Sequence, residues 1–125
     1  MPARCKENWM RIVRNGVNPN MEDVLGVLTD EARIGILIRL ADGMRSVGEL
    51  TEMLEIDFSS TSRKLRRLRE CGLVNLHANK SNHYYSLSEY ITIKFQKKNQ
   101  MIEIRIHNRE DEMIRIIRHR DHLVY

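Results

Sequence analysis

The chain has only two cysteines among its 125 residues, Cys5 and Cys71, far apart and without close-spaced partners. That excludes a disulfide framework and a four-cysteine zinc site. No apolar run reaches the roughly 18 residues of a bilayer span. The opening Met-Pro-Ala-Arg-Cys-Lys-Glu also lacks the apolar stretch of a secretory signal. A soluble, cytoplasmic protein with no membrane partner is expected. There is no glycine-rich phosphate loop, nucleophile elbow or paired-carboxylate setting, so the sequence points to neither an enzyme nor a cofactor. With 42% apolar and 30% charged residues, and no linker or low-complexity segment, the chain reads as one globular unit with a modest core.

The net charge of +4 is concentrated in one place. From Phe58 to Gly72, five basic residues (Arg63, Lys64, Arg66, Arg67, Arg69) face one acid (Glu70), while the rest of the chain holds 16 residues of each sign. Such a run can be a solvated helix face. On an otherwise neutral protein it is also the electrostatic footprint of phosphate contacts, which makes double-stranded DNA the expected partner.

Periodicity gives the order of elements. Met21, Val24, Leu25 and Leu28 follow helical spacing after the turn Asn18-Pro19-Asn20. A second helix has Thr29 or Asp30 as its cap, Ile34, Leu37, Ile38 and Ala41 on one face, and Gly43 as its stop. Ser46 with Glu49 forms a capping-box pattern ahead of Val47, Leu50, Met53 and Leu54. Asp57 caps a fourth helix, on which Thr61, Leu65 and Leu68 share the inward face and Arg63 lies nearly opposite, flanked by Ser59 and Arg66. Small hydroxyls at its N-terminal end would let a phosphate approach free backbone N–H groups. Leu73 to Ala78 and His83 to Leu87 then read as two strands around the polar turn Asn79-Lys80-Ser81-Asn82. Three helices, a basic helix and a two-stranded wing make the order of a winged helix-turn-helix.

The segments "LTDEARIGIL" (Leu28 to Leu37) and "SSTSRKLRRLRECGLV" (Ser59 to Val74) resemble arsenical-resistance-repressor-like (ArsR-like) regulators. The second matches that family's S-T-V-S-R-H-L-x-x-L-x-x-A-G-L-V without a gap, with Ser59, Ser62, Arg63, Leu65, Leu68, Gly72, Leu73 and Val74 in place. "YYSL" (Tyr84 to Leu87) is similar to its second wing strand, so the likeness covers residues 21–88. The resemblance implies a homodimeric DNA-binding regulator, with repression by occlusion the simplest mode. It departs in two ways. Where metal sensors of the family carry Cys-x-Cys, this chain reads Ser46-Val47-Gly48-Glu49-Leu50. Where many relatives continue into one long dimerising helix, this chain alternates.

Ile91, Ile93 and Phe95 alternate with polar residues, as do Ile102, Ile104 and Ile106. A hairpin closing on Lys97-Lys98-Asn99-Gln100 would pair Phe95 with Ile102, Ile93 with Ile104, Ile91 with Ile106, and Lys94 with Glu103. The competing helix would strand Ile93 and Ile104 on its opposite face. "NREDEMIRIIRHRDH" reads as a terminal helix, with Asn108 as cap, Glu110 to Glu112 in the first turn, and a stripe of Met113, Ile114, Ile116 and Ile117. Hairpin and helix together offer more apolar surface than the winged-helix body should cover, and point to a dimer surface. Trp9, with Met10, Ile12 and Val13, suggests an extra N-terminal helix.

His119 and His122 have the His-x-x-His spacing that zinc-type sensors of the family carry near their last helix, with His107 and Asp121 nearby. Solvated histidines in a charged terminal turn give the same pattern, and no metal ligand is assigned. Cys71 reads as a small buried thiol, with redox sensing as the alternative.

The fold expected is α+β, mainly α: an extension (1–20), a winged helix-turn-helix (21–88), and a β-hairpin plus helix that dimerises (89–125). Ser59, Ser60, Ser62, Arg63, Arg66 and Arg67 are the expected contacts in a major groove, and Lys80 the contact on the adjacent backbone. The rival reading is a winged helix used as a protein-interaction module.

Overall fold

The computed structural model describes residues 15–120. The helix expected around Trp9, together with Cys5, Asp121 and His122, lies outside them.

The order is α1 (Met21–Val27), α2 (Glu31–Arg39), β1 (Arg45–Ser46), α3 (Val47–Leu54), α4 (Phe58–Glu70), β2 (Val74–Asn79), β3 (Asn82–Leu87), β4 (Ile91–Gln96), β5 (Met101–His107) and β6 (Met113–His119). Each helix begins where a side chain accepts an otherwise orphaned amide: Asn20 from Asp23, Asp30 from Ala32, Ser46 from Glu49, Asp57 from Ser60. At Ser46 the full capping box forms, because Glu49 also accepts the Ser46 N–H.

The helices enclose one core. Val24, Ile34, Leu37, Leu50, Leu65, Leu68 and Leu73 are buried in it, and Thr61 joins them by accepting a hydrogen bond from the Thr51 hydroxyl and donating to the Asp57 carbonyl. Leu25, expected inward, is exposed instead. The wing is a three-stranded antiparallel sheet ordered β1-β3-β2, with Val74 opposite Leu87 and Asn79 opposite Asn82. Its turn places Lys80 at φ 52.

The second sheet is ordered β4-β5-β6 and is antiparallel throughout. Its first hairpin has the expected register: Ile91 opposite Ile106, Ile93 opposite Ile104, Phe95 opposite Ile102, and Lys94 opposite Glu103. The terminal helix expected after it is not formed. Met113–His119 is a third strand, pairing Ile104 with Ile116 and Ile106 with Ile114. The physical reason is a turn that returns the chain onto β5, whose Ile104 and Ile106 pair with it. Asn108 closes a tight turn, its side-chain oxygen accepting from the Glu110 and Glu112 amides and its side-chain nitrogen donating to the Pro19 carbonyl. Asp111 takes a left-handed φ of 61 there. Three of the residues after it, Ile114, Ile116 and Ile117, are β-branched, which suits a pleated, half-buried surface. Ile114 and Ile116 point inward while Met113 and Ile117 are exposed on the other side.

The expectation that this extension leaves a large apolar face for a partner also fails. Ile91, Ile102, Ile104 and Ile106 are buried in the same cluster as the helical body, with Ile93, Ile114 and Ile116 packed against it. The sheet is therefore part of the body's core. Arg118 reaches Glu31 at the start of α2, and Asn18 donates to Glu110, fastening both ends of β6. On its outer side Glu103 is buried beneath Arg105 and Arg115, which take its two carboxylate oxygens. The hydrogen bond from Arg115 holds the Glu103 carboxyl below the usual range.

Candidate nucleic-acid interface

Helix α4 carries the candidate surface, and three contacts set its position. Leu65 and Leu68 are fully buried beneath it. Near its middle, Lys64 donates to Asp30 at 2.5 Å, tying α4 to the start of α2. Burial pushes the Asp30 carboxyl up, but the bonds from Lys64 and the Ala32 amide, with Lys64 and Arg33 as nearby charges, bring it below its ordinary value. At its end Gly72 adopts φ +83 and lies so close to the 15–19 segment that an added Cβ would stand 2.1 Å from the Val17 carbonyl oxygen. That segment also holds the wing: Asn15 exchanges two hydrogen bonds with the backbone of Leu76.

The sequence-derived residues fall into three groups. Ser59, Ser62, Arg63 and Arg66 border one shallow depression together with Phe58. Arg63 and Arg66 are exposed and, among the described residues, have no carboxylate partner. Arg67 is exposed too, but it lies 3.8 Å from Glu70 and shares its charge with it. Lys64, counted in the basic run, is spent on Asp30. Lys80 projects separately, on the exposed wing turn with Asn79, Ser81, Asn82 and His83.

One expected contact is altered. The Ser60 amide already donates to the Asp57 carboxylate at 2.6 Å, and the Ser59 hydroxyl lies 3.4 Å from the same oxygen. The first turn of α4 is thus occupied by a carboxylate, so a phosphate meets negative charge there rather than free amides. Cationic contact shifts toward Arg63 and Arg66.

Sequence reasoning passed over Phe58. It stands seven residues before Leu65, on the same helical stripe, yet it is 59% exposed because the stripe's first turn has nothing over it. It also borders a second cleft, of about 390 Å³, with Ser46, Gly48, Ser62, Ser81, Asn82 and His83, which joins α4 to the wing. An aromatic residue opening a basic helix was the signal available.

The other constellations come apart. His107 and His119 sit at opposite ends of the second sheet, since His119 pairs with Met101 and His107 with Met113. Six residues of strand separate them, roughly 20 Å; His119 ends strand β6, and its His-x-x-His partner His122 lies outside the described residues. Among the described residues no group of three metal-ligating side chains forms. Cys71 is buried, and burial pushes its thiol pKa up, away from the reactive thiolate. No helix of the described residues is long and apolar enough to cross a membrane.

Comparison with known proteins places this geometry. The family model described as "Bacterial regulatory protein, arsR family" matches residues 30–75. The transcriptional activator HlyU of Vibrio cholerae is 40% identical over 65 residues, 52% of this chain and 60% of that protein, so the chain spans less than two thirds of this curated relative. The solved structure of reduced HlyU superposes with a TM-score of 0.52 at 38% identity, covering 55% of this chain and 73% of that one. The transcriptional repressor BigR from Xylella fastidiosa gives 0.51 at 32% identity, over 55% and 70%. A homodimeric winged helix-turn-helix DNA-binding domain from Mycobacterium bovis gives 0.51 at 27% identity, over 54% and 62%.

Proposed function

The chain belongs to the arsR family of bacterial regulatory proteins, and on that premise we propose that it is a sequence-specific, double-stranded-DNA-binding transcriptional regulator acting as a homodimer. The observation that carries this reading is the placement of charge. All of the net charge lies on the α4 segment, and two of its arginines, Arg63 and Arg66, face solvent without a carboxylate partner among the described residues. Guanidinium groups so placed fit guanine edges and phosphates. The exposed wing turn carries Lys80, which we assign to the phosphate backbone beside the groove.

The homodimer is supported by the homodimeric Mycobacterium bovis domain. With the inner face of the second sheet covered, its outer face is the surface we assign to the partner copy. Met113 and Ile117 are 61% and 44% exposed there, beside the Glu103–Arg115 pair. The relatives include both an activator and a repressor. Repression by occlusion is the mode proposed, since it needs only an operator overlapping a promoter.

Selection of bound sequences from random duplex DNA tests this. The expected outcome is a two-fold symmetric site with half-sites about 10 base pairs apart. Failure to enrich any sequence, with retention of an acidic protein partner instead, would favour the interaction-module reading.

A further inference from the structure

We infer that Phe58 is a specificity-determining residue that reads thymine through its C5-methyl group; this rests on the DNA-binding reading above. Phe58 is the first residue of α4 and is 59% exposed. An aromatic ring left in water at the tip of a helix is a cost unless something covers it, and its surroundings show what kind of surface that is. Around the ring, the two depressions it borders mix apolar surface with polar groups: Ser59, Ser62, Arg63 and Arg66 on one side, and Ser46, Ser81, Asn82 and His83 with the buried Val47 and Tyr85 on the other. A protein partner binding through an apolar patch would meet two exposed arginines, Arg63 and Arg66, beside the ring. A major-groove floor, polar but studded with thymine methyls, fits that lining.

Spacing adds the geometry. Phe58, Ser62 and Arg66 form one row of residues four apart along α4, and Ser59 and Arg63 form the row beside it. Eight residues of helix place Phe58 about 12 Å from Arg66 along the axis, comparable with the roughly 12 Å width of the major groove. A helix entering by its N-terminal end therefore brings Phe58 to base edges while Arg66 stays near a phosphate rim. The Asp57 carboxylate, already bonded to the Ser60 amide, makes the tip unsuited to phosphate and leaves apolar contact as its means of recognition.

The test uses the full chain and the duplex selected with it, prepared once with thymine and once with deoxyuridine at every thymine position, which removes only the methyl groups. Wild type should bind the deoxyuridine duplex on the order of fourfold more weakly for each contacted thymine, the worth of one buried methyl. Phe58→Ala should bind both duplexes equally, and Phe58→Leu should keep part of the difference. Melting temperatures of the variants close to wild type would confirm that the exposed site leaves the fold intact. If wild type binds the two duplexes equally, or if Phe58→Ala keeps the full thymine preference, the inference is wrong while DNA binding stands. If no duplex is bound at all, the functional reading itself fails.

Discussion

Gly72→Ala is the substitution on which the placement of α4 can be judged most sharply. Gly72 sits at φ +83, where an L residue pays for the clash of its Cβ, about 1–2 kcal/mol. The added carbon would also stand 2.1 Å from the Val17 carbonyl oxygen and 3.0 Å from its carbon, both backbone atoms that no rotamer change can move. Overpacking of that kind costs a further 1–3 kcal/mol, roughly. The sum is about 2–5 kcal/mol, which in a domain of this size lowers the melting point by on the order of 10 °C. Relief requires the 15–19 segment to lift, and Asn15 would then loosen its bonds to Leu76 in the wing. Gly26→Ala is the matched control. It lies inside α1 with nothing within 4 Å of its added Cβ, and should stabilise by about 0.5–1 kcal/mol. Thermal unfolding followed by circular dichroism reads both. A Gly72→Ala protein melting within about 2 °C of wild type, against the ten-degree drop worked out above, would mean that the close approach of α4 to residues 15–19 is wrong.

Arg63→Ala should weaken specific DNA binding by about 1–3 kcal/mol and relax base preference, whereas Lys80→Ala should lower affinity evenly across sequences; equal, small effects in a binding titration would remove both assignments. The Asp30 carboxyl is held below its ordinary value of 3.8, so its contribution is complete above that pH and is lost as pH falls through the lower folded value. Asp30→Asn, which retains an oxygen for the Ala32 amide, should flatten that acid limb and cost about 1 kcal/mol or less at neutral pH, because both partners of the ion pair are partly exposed. A denaturant titration from about pH 2 to about pH 7, from below the carboxylate range to well above it, would show whether the limb persists. Truncation after Glu89 should yield an aggregating, poorly folded fragment rather than a well-behaved winged helix, since it removes the buried Ile102, Ile104 and Ile106. A soluble fragment with cooperative unfolding would show that the second sheet is dispensable to the core.

The helical body was legible because each of its helices announces itself twice, by a capping side chain and by an apolar stripe. The capping box at Ser46 and the Thr61, Leu65, Leu68 stripe appear in the structure as read. The first hairpin of the second sheet was legible for a different reason: strict alternation fixes register, and Lys94 opposite Glu103 agreed with it. Residues 108–119 were not, because Met113, Ile114, Ile116 and Ile117 satisfy both a helical stripe and a strand with apolar residues on both faces. Asn108 suits a helix cap and a tight turn alike. What decides is a partner strand supplying Ile104 and Ile106, which local periodicity does not contain. The candidate interface was legible in its residues but not in its wiring. The Lys64–Asp30 pair joins residues 34 apart, and the use of the Ser60 amide by Asp57 depends on the cap geometry. Phe58 was hidden by falling on the inward stripe of its own helix.

The central claim is that α4 and the wing turn form a DNA-binding surface, and its most direct test is the salt dependence of duplex affinity measured by fluorescence anisotropy for wild type and for Arg66→Ala/Lys80→Ala. The account predicts a steep linear fall of log affinity with log salt in wild type, and a slope shallower by about two per bound subunit in the double variant. Duplex affinity that is absent at about 50 mM salt, or a slope that the double variant leaves unchanged, would contradict it.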